Sequence, residues 1–140
     1  MKDARTFVDT NILVYGHDSS AGQKHERAAR ILLDLWETDL GILSTLVLQE
    51  FFVTVTTKIP KPLNLDQAEE IVSHLLQWKV IVNDGRAILS AIDLQRRYHH
   101  SFWYSLIIQA ATAGWATVLL PEDFQSGQMI KSVRIVNPFE

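Results

Sequence analysis

Short apolar runs alternate along this chain with longer stretches in which apolar residues recur every three or four positions. The runs of strand length fall at residues 7–8, 40–43, 79–82, 116–120 and 133–136. Between them the apolar spacing is typical of amphipathic helices. Strands that alternate with helices predict a parallel sheet covered on both faces by right-handed crossovers. The expected fold is therefore a three-layer α/β/α sandwich with a central, mostly parallel sheet of about five strands.

Capping residues mark several of the predicted helices. Asn64 and Gln67 have the spacing of a capping box, and Gly114 is placed to end a helix. Residues 53–57 are β-branched and would also suit a strand, but the helical spacing before them favours a helix. The run 133–136 alternates in the manner of an edge strand. Helices are predicted at residues 23–37, from a Ser44 or Thr45 cap onwards, after Asn64, at 87–98 and at 102–113.

Composition narrows the class of protein. The 140 residues are 47% apolar and 21% charged, which indicates one globular domain spanning residues 1–140. The net charge of −3 means that any phosphate binding must come from a local patch. The absence of cysteine excludes disulfides and thiolate metal sites. Since no apolar stretch approaches the roughly 18 residues of a membrane span, we expect a soluble, cytoplasmic protein that does not enter the membrane.

Acidic residues follow two of the predicted strands. Asp9 ends the first strand and is followed by Thr10 and Asn11, while Glu122 and Asp123 follow the fourth strand. Because the carboxyl ends of parallel strands share one edge of the sheet, these side chains are expected to meet. The simpler alternative is that Asp9 or Thr10 only caps the next helix.

Glu50 provides a further carboxylate near the same edge. It lies about one turn into the helix after the second strand, four residues after Leu46 and three before Val53. A carboxylate on or beside an apolar stripe is either buried against a partner or part of a site. No Lys or Arg stands close to it in sequence, so the spacing favours a site.

Converging carboxylates determine the chemistry that such a site could support. Because like charges repel, some of them would stay protonated unless a cation joined them. Oxygen ligands without cysteine select hard ions such as Mg²⁺ or Mn²⁺. Such an ion can activate water, orient a phosphodiester and stabilise the charge that develops on it. Metal-assisted phosphodiester hydrolysis is the predicted reaction class.

Several landmarks together resemble a known family. The segments 7–11, 49–51, 101–103, 120–123 and 136–139 are similar in kind and order to those of PIN-domain proteins, and most similar to the VapC-type ribonuclease toxins of toxin–antitoxin modules. The resemblance runs the full length of the chain.

The resemblance implies an endoribonuclease that uses Mg²⁺ or Mn²⁺ and acts on RNA. It also implies a homodimer held inactive by a small antitoxin protein, with DNA contacted only through that antitoxin. The implied catalytic and metal-binding carboxylates are Asp9, Glu50 and Asp123. Asn11, Thr10 and Glu122 are the implied supporting residues.

This chain departs from the family pattern at Tyr104, where the helix that opens with residues 101–103 normally presents an aspartate. If Ser101 is the N-cap, residue 104 is N3, a position where an acid is favoured by capping and by the helix dipole. A phenol is neutral near pH 7 and is a poor ligand for a hard metal. Either the variant is impaired or the remaining acids form a weaker site. A binding module that keeps the fold, the dimer and antitoxin capture without catalysis is the alternative function.

Other polar residues are weaker candidates. A phosphoryl-transfer site with Asp9 as nucleophile would need a second aspartate where Asn11 stands. The histidines lack i,i+4 pairing with one another and are expected to lie on the surface or in loops. His99 and His100 precede the Ser101 cap and are placed near a possible substrate. Phosphates could be contacted by the basic residues Lys58, Lys61, Arg96 and Arg97.

Overall fold

One sheet runs through the computed structural model, which describes residues 3–121 and 127–139. Its strands are β1 (Thr6–Val8), β2 (Gly41–Ser44), β3 (Lys79–Ile81), β4 (Val118–Leu120), β5 (Met129–Ile130) and β6 (Val133–Ile135). They lie side by side in the order β3-β2-β1-β4-β6-β5. All neighbouring pairs are parallel except β5 and β6.

Helices connect the parallel strands, which confirms the predicted α/β/α fold with a mostly parallel central sheet. A short 3₁₀ turn at Ser19–Ala21 separates the first two of these helices. None of the described helices is long and apolar enough to cross a membrane. The helices are α1 (Thr10–Gly16), α2 (Gln23–Thr38), α3 (Thr45–Thr57), α4 (Leu65–Leu75), α5 (Gly85–Tyr98) and α6 (Phe102–Ala113).

Strand β1 lies at the centre of the sheet and is buried on both faces. Phe7 aligns with Ile42 of β2 on one side and with Leu119 of β4 on the other, and Val8 aligns with Leu120. A strand covered on both faces reads as a continuous apolar run rather than an alternating one, as the sequence 7–8 does. These registers bring the carboxyl ends of the three central strands to the same edge.

The helical boundaries follow from local chemistry. Residues 53–57 are helical within α3, as the apolar spacing predicted. The predicted capping box opens α4, where Gln67 N donates to Asn64 Oδ1 (2.8 Å) and Asn64 N donates to Gln67 Oε1 (3.1 Å). Its reciprocal hydrogen bonds satisfy two backbone donors at the helix terminus.

Gly41 allows a close approach between β2 and the segment that follows α4. A Cβ atom at Gly41 would lie 2.3 Å from two ring carbons of Trp78, which is itself buried. Since contacts this short do not occur between carbon atoms, only glycine fits beside this ring. The indole can therefore pack directly on the sheet.

The edge-strand prediction for residues 133–136 is wrong. β6 lies inside the sheet, between β4 and the two-residue strand β5. Its alternating burial arises because Arg134 points to solvent on one face while Val133 and Ile135 are buried on the other. Alternation of apolar and polar residues along a strand shows which face of the sheet is covered, but it does not show whether the strand has a neighbour on both sides.

The core-facing side of α5 does not include its isoleucines. Helical spacing places Ile88, Ala91, Ile92 and Gln95 on one face, yet Ile88 and Ile92 are exposed. The helix begins earlier than predicted, at an Asp84 cap whose Oδ1 accepts from Ala87 N (2.9 Å). The residues that face the core are the small or aliphatic Ala87, Ala91 and Leu94.

Candidate functional site

Asp9 stands where β1 ends and α1 begins. Its backbone N donates to the carbonyl oxygen of Leu120 (3.3 Å), which continues the pairing of β1 with β4 by one residue. Its carboxylate Oδ1 accepts from the backbone N of Thr10 (2.7 Å) and so caps α1. The capping alternative is therefore correct for one oxygen of Asp9, and this bond also fixes the carboxylate at the carboxyl edge of the sheet.

Thr10 connects this position to Glu50. Its Oγ1 donates to Glu50 Oε1 at 2.8 Å, across 40 residues of sequence. Glu50 is placed by α3, whose N-cap Ser44 accepts from Val47 N (3.3 Å) directly after β2. The side chain is exposed rather than buried against a cation, so the alternative of a buried ion pair is wrong. Asp9 and Glu50 thus meet at one threonine, as their positions after β1 and β2 predicted.

A cleft of about 400 Å³ surrounds this pair. Its walls come from the first turn of α1, the middle of α3 and the first turns of α6. Apolar side chains from α3 and α6 complete the walls below the polar groups. The polar and aromatic residues that line the cleft include Asp9, Thr10, Asn11, Glu50, Trp103 and Tyr104.

Tyr104 occupies the predicted N3 position of α6. Ser101 is the N-cap, and its Oγ accepts from Tyr104 N at 3.1 Å. The Tyr104 side chain is only 6% exposed and its ring meets that of His100 edge-on, with the centroids 5.0 Å apart. Burial raises the pKa of the Tyr104 hydroxyl above its ordinary value, and the nearby negative charge of Asp9 raises it further. The phenol is therefore neutral at physiological pH.

The donor set can be tested against a hard divalent ion. Asp9, Glu50 and Thr10 supply only oxygen atoms, which is the ligand chemistry that Mg²⁺ and Mn²⁺ prefer. Within residues 3–121 and 127–139, however, no group of three or more His, Asp or Glu side chains is placed to hold a metal. The predicted ligands Glu122 and Asp123 lie outside the described residues. The described part of the site therefore supplies two carboxylates, and their oxygen atoms are the kind of donor that such an ion binds.

His17 lies in the turn that follows α1, as the expectation of surface or loop histidines allowed, but it is only partly exposed and its imidazole ring makes two contacts. This ring donates from Nδ1 to the carbonyl oxygen of Leu13 (2.8 Å) and packs edge-on against Phe51. Burial lowers the His17 pKa, the bond to Leu13 opposes this, and the charge of His25 adds to the lowering. His100 lies beside Tyr104, as its position before the Ser101 cap indicated.

Trp103 was not identified from the sequence. It is 64% exposed and contributes to the cleft from the N2 position of α6. The sequence did place Trp103 in the first turn of the helix, between the Ser101 cap and Tyr104. Because adjacent residues in this turn point in different directions, one of them could be expected to face outward.

Solved structures share this fold. VapC20 from Mycobacterium tuberculosis, described as a Sarcin-Ricin loop cleaving toxin, matches with a TM-score of 0.64 and 16% identity over 92% of this chain and 98% of its own. A toxin–antitoxin complex from Klebsiella pneumoniae matches with a TM-score of 0.68 and 18% identity, covering 96% of this chain and 98% of that one. VapBC2 from Rickettsia felis, bound to a DNA fragment from its promoter, gives a TM-score of 0.63 and 18% identity over 94% and 97% of the two chains.

At such identities the likeness establishes the fold. Neither protein-family models nor curated protein sequences match this chain. The predicted resemblance to VapC-type PIN-domain proteins is confirmed at the level of the fold.

The raised pKa of Tyr104 predicts a loss of stability in alkali. Above the ordinary pKa of about 10, the unfolded chain releases this proton while the folded chain keeps it, so folding becomes less favourable as pH rises. Tyr104→Phe should make the fall in melting temperature between about pH 9 and about pH 11 shallower. Tyr98→Phe, at an exposed ring on α5, is the control. An equally steep fall in the wild type and Tyr104→Phe would contradict the assignment.

Proposed function

We propose that this chain is a VapC-type endoribonuclease toxin of a type II toxin–antitoxin system, which hydrolyses RNA phosphodiester bonds with Mg²⁺ or Mn²⁺. The observation that supports this most directly is the meeting of Asp9 and Glu50 at Thr10, inside one cleft at the carboxyl edge of the sheet. The fold shared with VapC toxins supports the same reading. RNA is the proposed substrate.

The proposed metal ligands are Asp9, Glu50 and Asp123. Asp123 is included because it follows Leu120 by three residues, and the carbonyl of Leu120 lies at the backbone N of Asp9. Asn11 and Glu122 are proposed to assist the carboxylates. The ion, when bound, would orient the phosphodiester and neutralise charge that develops on it.

The residues of the chain prearrange this site through their own hydrogen bonds. The Thr10 N–H holds one Asp9 oxygen, and the Thr10 hydroxyl holds one Glu50 oxygen, so a single residue sets the relative position of both carboxylates. Groups fixed in this way need not be reordered when substrate arrives. Tyr104 lines the cleft and adds no charge, so Asp9 and Glu50 are the acids of the described site.

Cleavage of a structured RNA tests the proposal. The isolated chain should cut in Mg²⁺ or Mn²⁺ and stop when EDTA removes the ion. Asp9→Asn and Glu50→Gln should each reduce the rate by at least about 100-fold, and Thr10→Val by roughly 10–100-fold as a loss of ligand orientation. Glu70→Gln changes an exposed carboxylate on α4, away from the cleft, and should have no effect. Cleavage that survives both EDTA and Asp9→Asn would exclude this mechanism.

A second candidate function rests on Tyr104. A neutral, buried phenol stands at the N3 position where the family resemblance implies a metal-binding aspartate. A chain with one acid fewer would bind the ion more weakly, and it could serve as a catalytically weak or inactive module that dimerises and captures an antitoxin. The N3 geometry itself would accept a carboxylate, because the first turn of a helix favours negative charge.

Tyr104→Asp separates the two candidates. If Tyr104 occupies the place of a metal ligand, the substitution should tighten Mn²⁺ binding by at least roughly 10–100-fold and raise RNA cleavage. Without the ion the added charge would repel Asp9, so the melting temperature should fall in EDTA and recover with Mn²⁺. Tyr104→Asn is the matched control, since it removes the ring without adding charge. Equal metal affinity in all three forms would show that residue 104 is not a ligand position.

The proposed partners follow from the same assignment. A small cognate antitoxin would neutralise the toxin, DNA would be contacted only through that antitoxin, and the complex would act in the cytoplasm. A homodimer is proposed because large aromatic rings remain on the surface: Trp36 and Trp115 are exposed and Phe52 is only partly buried. Such surface is commonly covered in a C₂ dimer.

Light scattering of the chain without antitoxin tests this association. The expected mass is twice the 15.9 kDa of one chain. Burial of apolar surface makes the dimer insensitive to salt, because screening acts on charges and not on apolar contacts. A mass of one chain at high protein concentration would contradict the dimer.

A further inference from the structure

Trp103 is an exception within α6. The helix buries seven of its twelve residues, Tyr104, Ser105, Leu106, Ile107, Ile108, Ala110 and Ala111, whereas the Trp103 side chain is 64% exposed. It lines the same cleft as Asp9 and Glu50. A large aromatic ring therefore stands in solvent at the mouth of the acidic site.

The ring of Phe102 contacts the indole of Trp103. The Phe102 and Trp103 rings meet at 71° with their centroids 5.5 Å apart, which is an edge-to-face contact. A contact of this kind covers at most one face of the indole, so the other face can receive a parallel ring. Because the neighbouring ring already limits the rotation of Trp103, stacking there would cost less conformational entropy than on a free side chain.

Charge makes such a contact useful at this position. Asp9 and Glu50 repel phosphate, and the chain as a whole carries a net charge of −3. A polyanion that approaches the cleft therefore gains little from long-range attraction. Stacking on an aromatic face does not depend on the sign of the surrounding charge, and every nucleobase offers a π-face.

Basic residues lie close by in the chain. Arg96 and Arg97 are exposed in the last turn of α5, which residues 99–101 alone connect to α6. Both guanidinium groups pair with Asp93, at 3.7 Å and 3.1 Å. Exposed pairs of this kind are weak and can exchange for phosphate. The chain thus carries exposed cations a few residues before the exposed ring of Trp103.

We propose that Trp103 stacks on an unpaired nucleobase next to the phosphate that enters the cleft, so that it selects single-stranded RNA segments. This rests on the proposed ribonuclease function. A protein segment could also use an exposed tryptophan as an anchor. The setting of Trp103 favours a base, because protein anchors of this type sit in the apolar centre of an interface, whereas Trp103 lines a cleft that also contains two carboxylates.

Binding measured without catalysis tests the inference. Dissociation constants for a short fluorescent single-stranded RNA, in EDTA and low salt, should rise roughly 5- to 150-fold in Trp103→Ala, the range typical of losing one base-stacking aromatic. Trp103→Phe should recover most of the affinity. Leu65→Ala is the control, since Leu65 on α4 is 64% exposed like Trp103 and does not line the cleft, and it should bind as the wild type does.

RNA variants identify the contact. An oligonucleotide with one abasic position should weaken wild-type binding at a single site, and the same abasic change should add nothing further in Trp103→Ala, because the two changes remove one shared contact. A fully paired duplex of the same sequence should bind the two forms equally, since its bases are not free to stack.

The outcomes separate this inference from the proposed function. Wild-type protein that neither binds nor cuts RNA would overturn both. RNA cleavage with unchanged single-strand affinity in Trp103→Ala would overturn the stacking alone. An equal loss for duplex and single strand would also overturn it, as would an effect confined to the binding of a co-expressed antitoxin, which would assign Trp103 to the protein partner.

Discussion

Parallel pairing of β1 on both sides is the constraint on which the rest of the structure depends. Residues 6–8 are buried on both faces and hydrogen-bonded to two neighbours, so they can only lie at the centre of a covered sheet. A parallel sheet must place its connecting helices over its faces. The carboxyl ends of β1, β2 and β4 then coincide, and the described acids that follow β1 and β2, Asp9 and Glu50, meet at this edge.

This constraint explains why capping and chemistry are not competing roles for Asp9. The helix that follows a central strand needs a group to accept its free N–H donors, and Asp9 supplies one. The same bond holds the carboxylate at the edge where Glu50 arrives on α3. Thr10 then uses its backbone for Asp9 and its hydroxyl for Glu50, so the two acids are aligned by a group that the fold already requires.

Much of the fold could be predicted because its signals are local. The capping box of α4, the helical spacing through residue 57 and the apolar run of β1 depend on neighbours in sequence. The two-residue strand β5 carries too few positions to show a period, and the covering of β6 depends on which strand pairs beside it. On α5 the small side chains of Ala87 and Ala91 face the core, whereas the bulkier Ile88 and Ile92 are exposed, and helical spacing alone does not distinguish these two faces.

The candidate site, like the fold, could be predicted from the sequence only in part. Asp9 and Glu50 could be placed from their distance to strand ends, because topology fixes where those ends lie. The hydroxyl bridge of Thr10 and the exposure of Glu50 and Trp103 depend on rotamers, which sequence spacing does not encode. The contacts of His17 were predictable only in part, since Leu13 lies four residues before it but Phe51 comes from α3.

Tyr104 links the stability of the fold to the proposed chemistry. A carboxylate at N3 of α6 would be favoured by the helix dipole and disfavoured by the charge of Asp9, and a bound cation would decide the balance. The phenol avoids this conflict, because burial and Asp9 together keep it neutral. A further carboxylate beside Asp9 and Glu50 would add repulsion, which Tyr104 avoids while no ion is bound. Under the proposed function, the same residue therefore stabilises the metal-free fold and weakens the site that would hold the metal.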